Sequence, residues 1–354
     1  MSDSAKNILI ELLDNGHQSR ADLARKLGLS RPAISAAVDK LIASGMVREA
    51  GTGASSGGKP PIMLELESPQ FSAIGLDLGD GSTMRGIVID GNARTLDEEK
   101  MNFVNNFVSI RDTALALVER LRSRDTGKSV CGIGVAVPGV VDISRNQILY
   151  SANFDLSDHD LAQPMAETCG LPVLLWNRAR TAAMAEWRTG AAMNDRSFVY
   201  ITFGYGIGSV IHHNGSMLNG DNFSAGEIRD VIVPRDDSGS TTYAPLELTI
   251  RSILEKYGAK PDPECYRHYL TPCAYMVRLF GSIVDPNTIV LGGRFPLLGA
   301  NFLRELSAMV AHDLPKRHLA ATLRYSQSGV NGPACGAALK ILQRHVALLN
   351  LGEC

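Results

Sequence analysis

The chain has no apolar run approaching the ~18 residues that span a bilayer, so no membrane partner is expected of it. Its first residues, "MSDSAKNILIELL", lack the basic start, apolar block and small-residue cleavage site of a secretory signal, which predicts a cytoplasmic location. Cysteines at metal or redox spacing are missing too. The six present are scattered and none falls in a C-x-x-C pair, as suits a reducing compartment where thiols act as small apolar residues. The stretch "CYRHYLTPC" gathers Cys265, His268 and Cys273, but three loosely spaced candidates fall short of a tetrahedral site, so no metal is expected. A strong charge of one sign is also lacking. A formal net charge of -2 with 45% hydrophobic residues is the composition of a soluble globular protein, and 354 residues suffice for two or three domains.

What is present divides near residue 70. The pattern predicts a first domain over 1–67 and a second over 68–354. In the first, "AKNILIELLDNG" sets Ile8, Leu9, Leu12 and Leu13 at helical spacing and stops at Gly16. Ser19 is placed to cap a second helix that buries Leu23, Ala24 and Leu27. After a turn at Gly28, Ser30 caps a third, "RPAISAAVDKLIASG", whose inner face is Ile34, Val38, Leu41 and Ile42. Two helices joined by a tight glycine turn make a helix-turn-helix. "MVREAG" and "IMLELE" then read as strands flanking "GTGASSGGKPP", which makes a wing.

The outward face of the third helix points to DNA. Ser30, Arg31, Ala33, Ser35, Ala36 and Lys40 pair small residues, which allow close approach to a major groove, with groups that reach base edges and phosphates. Lys59 in the wing tip suits a phosphate or minor-groove contact. From Gly16 to Pro61 seven Lys/Arg (Arg20, Arg25, Lys26, Arg31, Lys40, Arg48, Lys59) stand against three acids (Asp22, Asp39, Glu49), although the first 70 residues as a whole are near neutral. A double-stranded DNA operator is the expected partner.

The second domain alternates strands and helices. "FSAIGLDLGDGSTMRGIVID" reads as a hairpin with a glycine-bearing tip, followed by "GVAVPGVVD", "ILYSANF", "LPVLLWNRARTAAMAEW", "GYGIGSVIHHNG", "AGE", "NTIVLGG" and "PACGAALKI". In that order these blocks resemble the ROK family of sugar kinases and sugar-responsive repressors, over nearly the whole chain. The resemblance implies an α/β protein: an N-terminal winged helix-turn-helix followed by a two-lobed, actin-like ATPase fold. It also implies a homodimer or homotetramer and a small-molecule effector.

The departures from that family narrow the function. ROK kinases carry Asn-Asp-Ala-Asn, in which the Asp takes the proton from the attacking sugar hydroxyl; here the run is Asn177-Arg178-Ala179-Arg180. An arginine has no proton-accepting form near neutral pH. The family's zinc ligands are replaced by Asp230, Ser238, Ser240 and Pro245, Asp80 enters the first glycine turn, and Tyr205 stands where the second phosphate loop has a small Thr. No catalytic residue, cofactor or metal is therefore expected, and the chain reads as a regulator of carbohydrate genes. The resemblance implies ligand contacts at Asn153, Asn177, Glu227 and Glu247, with Arg178 and Asp230 at altered positions beside them. Two cations at a helix N-terminus, which itself prefers anions, leave two readings. Arg178 and Arg180 recognise a sugar acid or sugar phosphate, or they neutralise Glu227, Glu247 or Asp230 and the effector is a neutral sugar. A kinase bearing a DNA-binding head, and a ligand-independent DNA-binding protein whose pocket is closed by Glu227 and Glu247 pairing with Arg178, Arg180 or Arg229, are the alternatives.

Overall fold

The structure is a computed structural model that describes residues 3–54, 60–67, 71–79, 81–124, 130–151, 153–157, 159–193, 195–204, 206–237, 240–312 and 321–349. Lys59, Asp80, Tyr205 and Ser238 lie outside the described residues, and the Ser240 side chain is likewise not described.

The N-terminal segment runs α1 (Asp3–Asn15), β1 (Gln18–Ser19), α2 (Arg20–Leu27), α3 (Arg31–Ala43), β2 (Val47–Thr52) and β3 (Ile62–Leu66), with the strands ordered β1-β3-β2. Each boundary has a local cause. The Ser19 hydroxyl accepts from Asp22 N while the Asp22 carboxylate accepts from Ser19 N, so two orphan amides at the start of α2 are satisfied together. Gly28 ends α2 at φ 65°, the left-handed conformation that glycine adopts without a Cβ clash. Ser30 caps α3 through Ala33 N, and Pro32 sits in the first turn, where a missing N–H costs nothing. Ile8, Leu9, Leu12, Leu13, Leu23, Ile34, Val38 and Leu41 are buried as expected, while Leu27 and Ile42 are only half-buried. This is a three-helix winged helix-turn-helix.

The chain then runs β4 (Ser72–Asp77), β5 (Thr83–Asp90), β6 (Thr95–Asn102), α4 (Phe107–Ser123), β7 (Val130–Val137), β8 (Val140–Asp142), β9 (Gln147–Tyr150), α5 (Ala162–Cys169), β10 (Val173–Asn177) and α6 (Arg178–Thr189). The sheet order is β10-β7-β4-β5-β6. Strand β4 is buried along its whole length and is central. The charged, alternating "TLDEEKMN" of β6 forms the edge, where charge guards against pairing with another chain. The sequence places the last strand at Leu171–Leu175; β10 instead begins two residues later and ends at Asn177. Pro172 has no N–H to give a ladder, and Asn177 is the residue able to cap α6.

The remaining elements are β11 (Phe198–Phe203), β12 (Ile207–His213), β13 (Ser216–Met217), β14 (Ile232–Asp237), β15 (Ser240–Pro245), α7 (Leu246–Tyr257), α8 (Pro263–Val284), β16 (Thr288–Gly293), α9 (Gly299–His312), β17 (Thr322–Tyr325) and α10 (Gly332–Leu348). The second five-stranded sheet is ordered β13-β12-β11-β16-β17. It repeats the plan of the first. An antiparallel hairpin (β4/β5, β11/β12) is followed by two parallel strands (β7 and β10, β16 and β17), each succeeded by a helix. Two compact units result: Met1–Met184 with Pro333–Cys354, and Ala185–Gly332. Helix α10 thus returns to the first unit. There Gly75 and Gly134 let its backbone lie directly on the sheet, since a Cβ would come within 1.9 Å of Ala334 O and 2.0 Å of Ala337 O. Among the described residues no helix is long and apolar enough to cross a membrane.

Candidate DNA-reading face and candidate effector residues

On α3, Arg31, Ala33, Ala36 and Lys40 are exposed and Ser35 is half-buried, so the face expected to read DNA is turned to solvent. Ser30 spends its hydroxyl on the cap. The basic residues around it are less available than a count suggests. Arg20 bonds Asp39 at 3.0 Å and Glu49 at 3.1 Å, Arg25 bonds Asp22 at 2.6 Å, Lys26 bonds Glu11 at 2.6 Å, and Arg48 pairs with Glu65. Arg31 and Lys40 make no ion pair with any other described residue. Positive charge free to meet phosphate is therefore concentrated on α3. The partners Glu11 and Glu65 lie outside the 16–61 stretch, so its excess of seven Lys/Arg over three acids is larger than the positive charge it leaves unpaired.

In the first unit, β7 lies between β4 and β10 in parallel register, with Asp77 level with Ala136 and Asn177 level with Val137. Asp77 and Asn177 therefore leave the sheet at the same end, where open α/β sheets bind ligands. Asn177 is the N-cap of α6: its Oδ1 accepts from Arg180 N at 3.0 Å, and its Nδ2 donates to Gly139 O at 2.7 Å. Arg178 opens the helix and grips Asp77 in a two-pronged pair, Nε to Oδ1 at 2.6 Å and NH2 to Oδ2 at 3.0 Å. Asp77 is 1% exposed, and its Oδ1 also accepts from Gly79 N at 2.9 Å. Asp77, which was not among the carboxylates expected to pair with Arg178 (Glu227, Glu247 or Asp230), is thus one of its partners. Arg180 is buried and engaged as well. Asn153 is exposed, and its backbone carbonyl accepts from Asn105 Nδ2 at 2.8 Å.

In the second unit, Glu227 and Asp230 are exposed. Glu247, 6% exposed, accepts from Arg229 and Arg251, each at 2.7 Å. Its amide also donates to Arg229 O at 3.0 Å, so the segment before β14 is tied to the start of α7 by both backbone and charge. Between them, β14 and β15 form a plain antiparallel hairpin pairing Ile232 with Pro245. The described residues contain no cluster of three or more His, Cys, Asp or Glu placed to hold a metal ion. A cavity of about 360 Å³ in the first unit is lined by Arg145, Asn146, Gln147, Asp160, Gln163 and Val173, none of them an expected effector residue.

Sequence reasoning missed Asp77 and Arg251, whereas Arg229 was among the arginines expected to pair with Glu247 and does so. Asp77 was visible only as part of a glycine-turn block, and its partner is 101 residues away. The Glu247–Arg251 pair did carry a signal, the i,i+4 spacing of opposite charges on a helix.

Comparison with known proteins adds the following. Residues 1–48 match the family described as winged helix-turn-helix DNA-binding, and residues 73–243 match the ROK family. The xylose repressor of Bacillus subtilis (strain 168) is 29% identical over 269 residues, covering 74% of this chain and 70% of that protein. A crystal structure of a ROK family transcriptional regulator, a homologue of the E. coli MLC protein, superposes with a TM-score of 0.72 at 19% identity, covering 97% of each chain. The ROK hexokinase of Thermus thermophilus gives a TM-score of 0.62 at 25% identity over 76% of this chain and 97% of that one.

Proposed function

We propose that this chain, which carries a ROK family domain and a winged helix-turn-helix ahead of it, is a sugar-responsive transcriptional repressor acting in the cytoplasm. Residues 1–67 are the DNA-reading head and 68–354 the sensing and assembling body. The observation that carries the reading is the face of α3. Arg31 and Lys40 project from it without ion-pair partners among the described residues, beside Ala33 and Ala36, which are small enough to admit a groove edge. Ser35, and Lys59 in the wing tip, complete the proposed DNA contacts.

The body senses rather than phosphorylates. Phosphoryl transfer needs a base and room for a metal and phosphate at the strand ends. Arg178 stands where the family has its base, and its guanidinium covers both oxygens of Asp77. An anionic effector would have to displace that carboxylate to reach the Arg178 fork. A neutral sugar is therefore the better match, with xylose first to be tried because the similar repressors are named for it. The exposed Glu227 is the proposed hydroxyl-binding carboxylate of the second unit, and Glu247, held by Arg229 and Arg251, positions its neighbourhood. Asn153 is the proposed sugar-contacting amide of the first unit, while Asn177, with both ends of its amide engaged, shapes the strand end. A second reading, a head on a body with a closed pocket, draws on the two arginines that already satisfy Glu247.

The test enriches sheared genomic DNA on the full chain, then titrates the recovered fragment against the protein with and without D-xylose, other neutral sugars, sugar acids and sugar phosphates. Release or tightening by a neutral sugar, with no ATP turnover, is the expected result. Response to sugar acids or phosphates alone would restore the anion reading. Sequence-specific binding that ignores every sugar would favour the closed pocket, and failure to enrich any sequence would overturn DNA reading altogether.

A further inference from the structure

Helix α10 touches both parts of the first unit that matter for regulation. Its N-terminal half is fixed to the body. Gly336 meets Thr181 of α6 so closely that a Cβ would lie 1.7 Å from Thr181 O, and Ala334 and Ala337 lie against the sheet at Gly75 and Gly134. Its C-terminal half holds the head. Gln343 Nε2 donates to Asp14 on α1, and Lys6 Nζ of α1 donates to Ala347 O at 3.3 Å. Lys340 stands between the two halves. Its ammonium lies 4.8 Å from the centre of the Trp176 ring, at the end of β10, and donates to Gln343 Oε1 at 3.0 Å. A cation over an indole face is attracted by the ring's quadrupole, more strongly when water is excluded.

Charge places the same residue between the same neighbours. Burial lowers the Lys340 pKa from its ordinary value; Asp14 of the head partly offsets this by attraction, and Arg180 of α6 adds to it by repulsion. The ammonium feels both Asp14 of the head and Arg180 of α6 across a poorly solvated space, so a shift of either is felt there more strongly than in water. Asn177 and Arg178 directly follow Trp176 in the chain, so a change at the strand end moves Trp176 and α6 together.

We propose that α10 carries the effector signal to the DNA-reading head, with Lys340 as the hub at which the β10–α6 junction is coupled to α1. The path is Trp176 and Arg180 to Lys340, Lys340 to Gln343, and Gln343 to Asp14. Movement of α1 displaces α3, since the two helices pack against each other and Ile8, Leu9 and Leu12 on one and Ile34, Val38 and Leu41 on the other are buried. The inference rests on the proposed repressor reading for its biological meaning, but the linkage itself is a property of the fold.

The experiment uses the full chain and hydrogen exchange resolved over α1, with α4 as the internal control. Arg178→Ala perturbs the junction. It is expected to speed exchange in α1 about fivefold or more beyond any acceleration of α4, the lower range of measured site-to-site couplings, α4 reporting the general loss of stability. In a Lys340→Met background the same substitution is expected to leave α1 within about twofold of its parent, and Lys340→Arg is expected to restore transmission. Equal acceleration of α1 in the native and Lys340→Met backgrounds would overturn the proposal, as would acceleration of α1 and α4 alike, which is global loosening. Should Lys340→Met not fold, Gln343→Leu cuts the path one contact later and is read in the same way. A second arm measures the effect of D-xylose on DNA affinity in the native chain and in the coupling variant. A native chain that ignores D-xylose yet passes the exchange arm supports the linkage and counts against the sugar reading. A sugar response that survives intact in the variant overturns the linkage.

Discussion

Arg178 is the residue on which the functional argument turns, and its pair with Asp77 gives it a measurable signature. Removing one partner of a largely buried ion pair leaves the other uncompensated, at a cost of about 3–5 kcal/mol when both are buried. Because the Arg178 side chain is 32% exposed, water screens part of this, and a loss of about 2–3 kcal/mol on Arg178→Ala is expected in chemical denaturation. A loss under about 0.5 kcal/mol, the range of ordinary surface substitutions, would mean that the pair does not lock the strand end. Glu186 makes a prediction in pH. It is fully buried, and burial alone would raise its carboxyl; hydrogen bonds from Ser326, Ser328 and Ala191 N outweigh this and hold it below its ordinary 4.5. A carboxyl depressed in the folded state contributes stability that is present above 4.5 and is lost as pH falls through the folded value. Resistance to urea should therefore fall with acidification below 4.5, and Glu186→Gln should flatten that slope; a slope equally steep in the variant places the titration elsewhere. Cys131, pushed up to about 12 by burial, stays a thiol at pH 8 and should react with a thiolate-selective reagent far more slowly than a free cysteine.

At the scale of elements, helices α1 to α3, the wing strands and the β4–β5 hairpin were legible because each carries its own punctuation: Ser19 and Ser30 as caps, Gly28 as a left-handed stop, apolar strand runs bounded by glycine-bearing turns. The limits of β10 were not, because the apolar run Leu171–Leu175 does not say where a ladder can start and Pro172 moves it. The identities of the site partners were legible least. Arg178 with Asp77, and Glu65 with Arg48 and Arg94, join residues far apart in the chain, and no periodicity records that. Helix α10 was legible as "PACGAALKI", but the reason for its small residues was not. Its glycine and alanines let it lie against the backbone of the sheet and of α6. Gly336→Ala is accordingly expected to destabilise by about 1–3 kcal/mol, as overpacking does, since the clash at Thr181 O is with backbone that has no rotamer to change. A midpoint unchanged in thermal unfolding would show that the two helices separate easily. On α3, Arg31→Ala is expected to cost about 1–3 kcal/mol against the preferred sequence and to relax its specificity, whereas Lys40→Ala weakens all sequences alike.

For the whole molecule, the near-neutral charge sets a constraint on how DNA is bound. A formal net charge of -2 supplies no general attraction to a polyanion, so affinity depends on local cations. Arg20, Arg25, Lys26 and Arg48 are committed to carboxylates, which leaves Arg31 and Lys40 on α3 and, from the sequence, Lys59 in the wing. One head therefore neutralises only two or three phosphates, and log K should fall against log salt with a slope of about -2 to -3. That electrostatic term is small for a repressor competing against a genome of other sites. Two heads acting together double it to about -4 to -6, and a symmetric pair reads two half-sites about one helical turn, or a multiple, apart. We therefore expect a homodimer, or a tetramer built from such pairs, bound to a near-palindrome. Sedimentation of the free chain and the salt slope on the enriched DNA check this independently. A monomer with a slope near -2 would mean that one head suffices and that base contacts supply nearly all the affinity. A dimer with the doubled slope whose half-site spacing must be a whole turn would place the burden of specificity on the geometry of the pair, the quantity that a displacement of α1 relative to the body would alter.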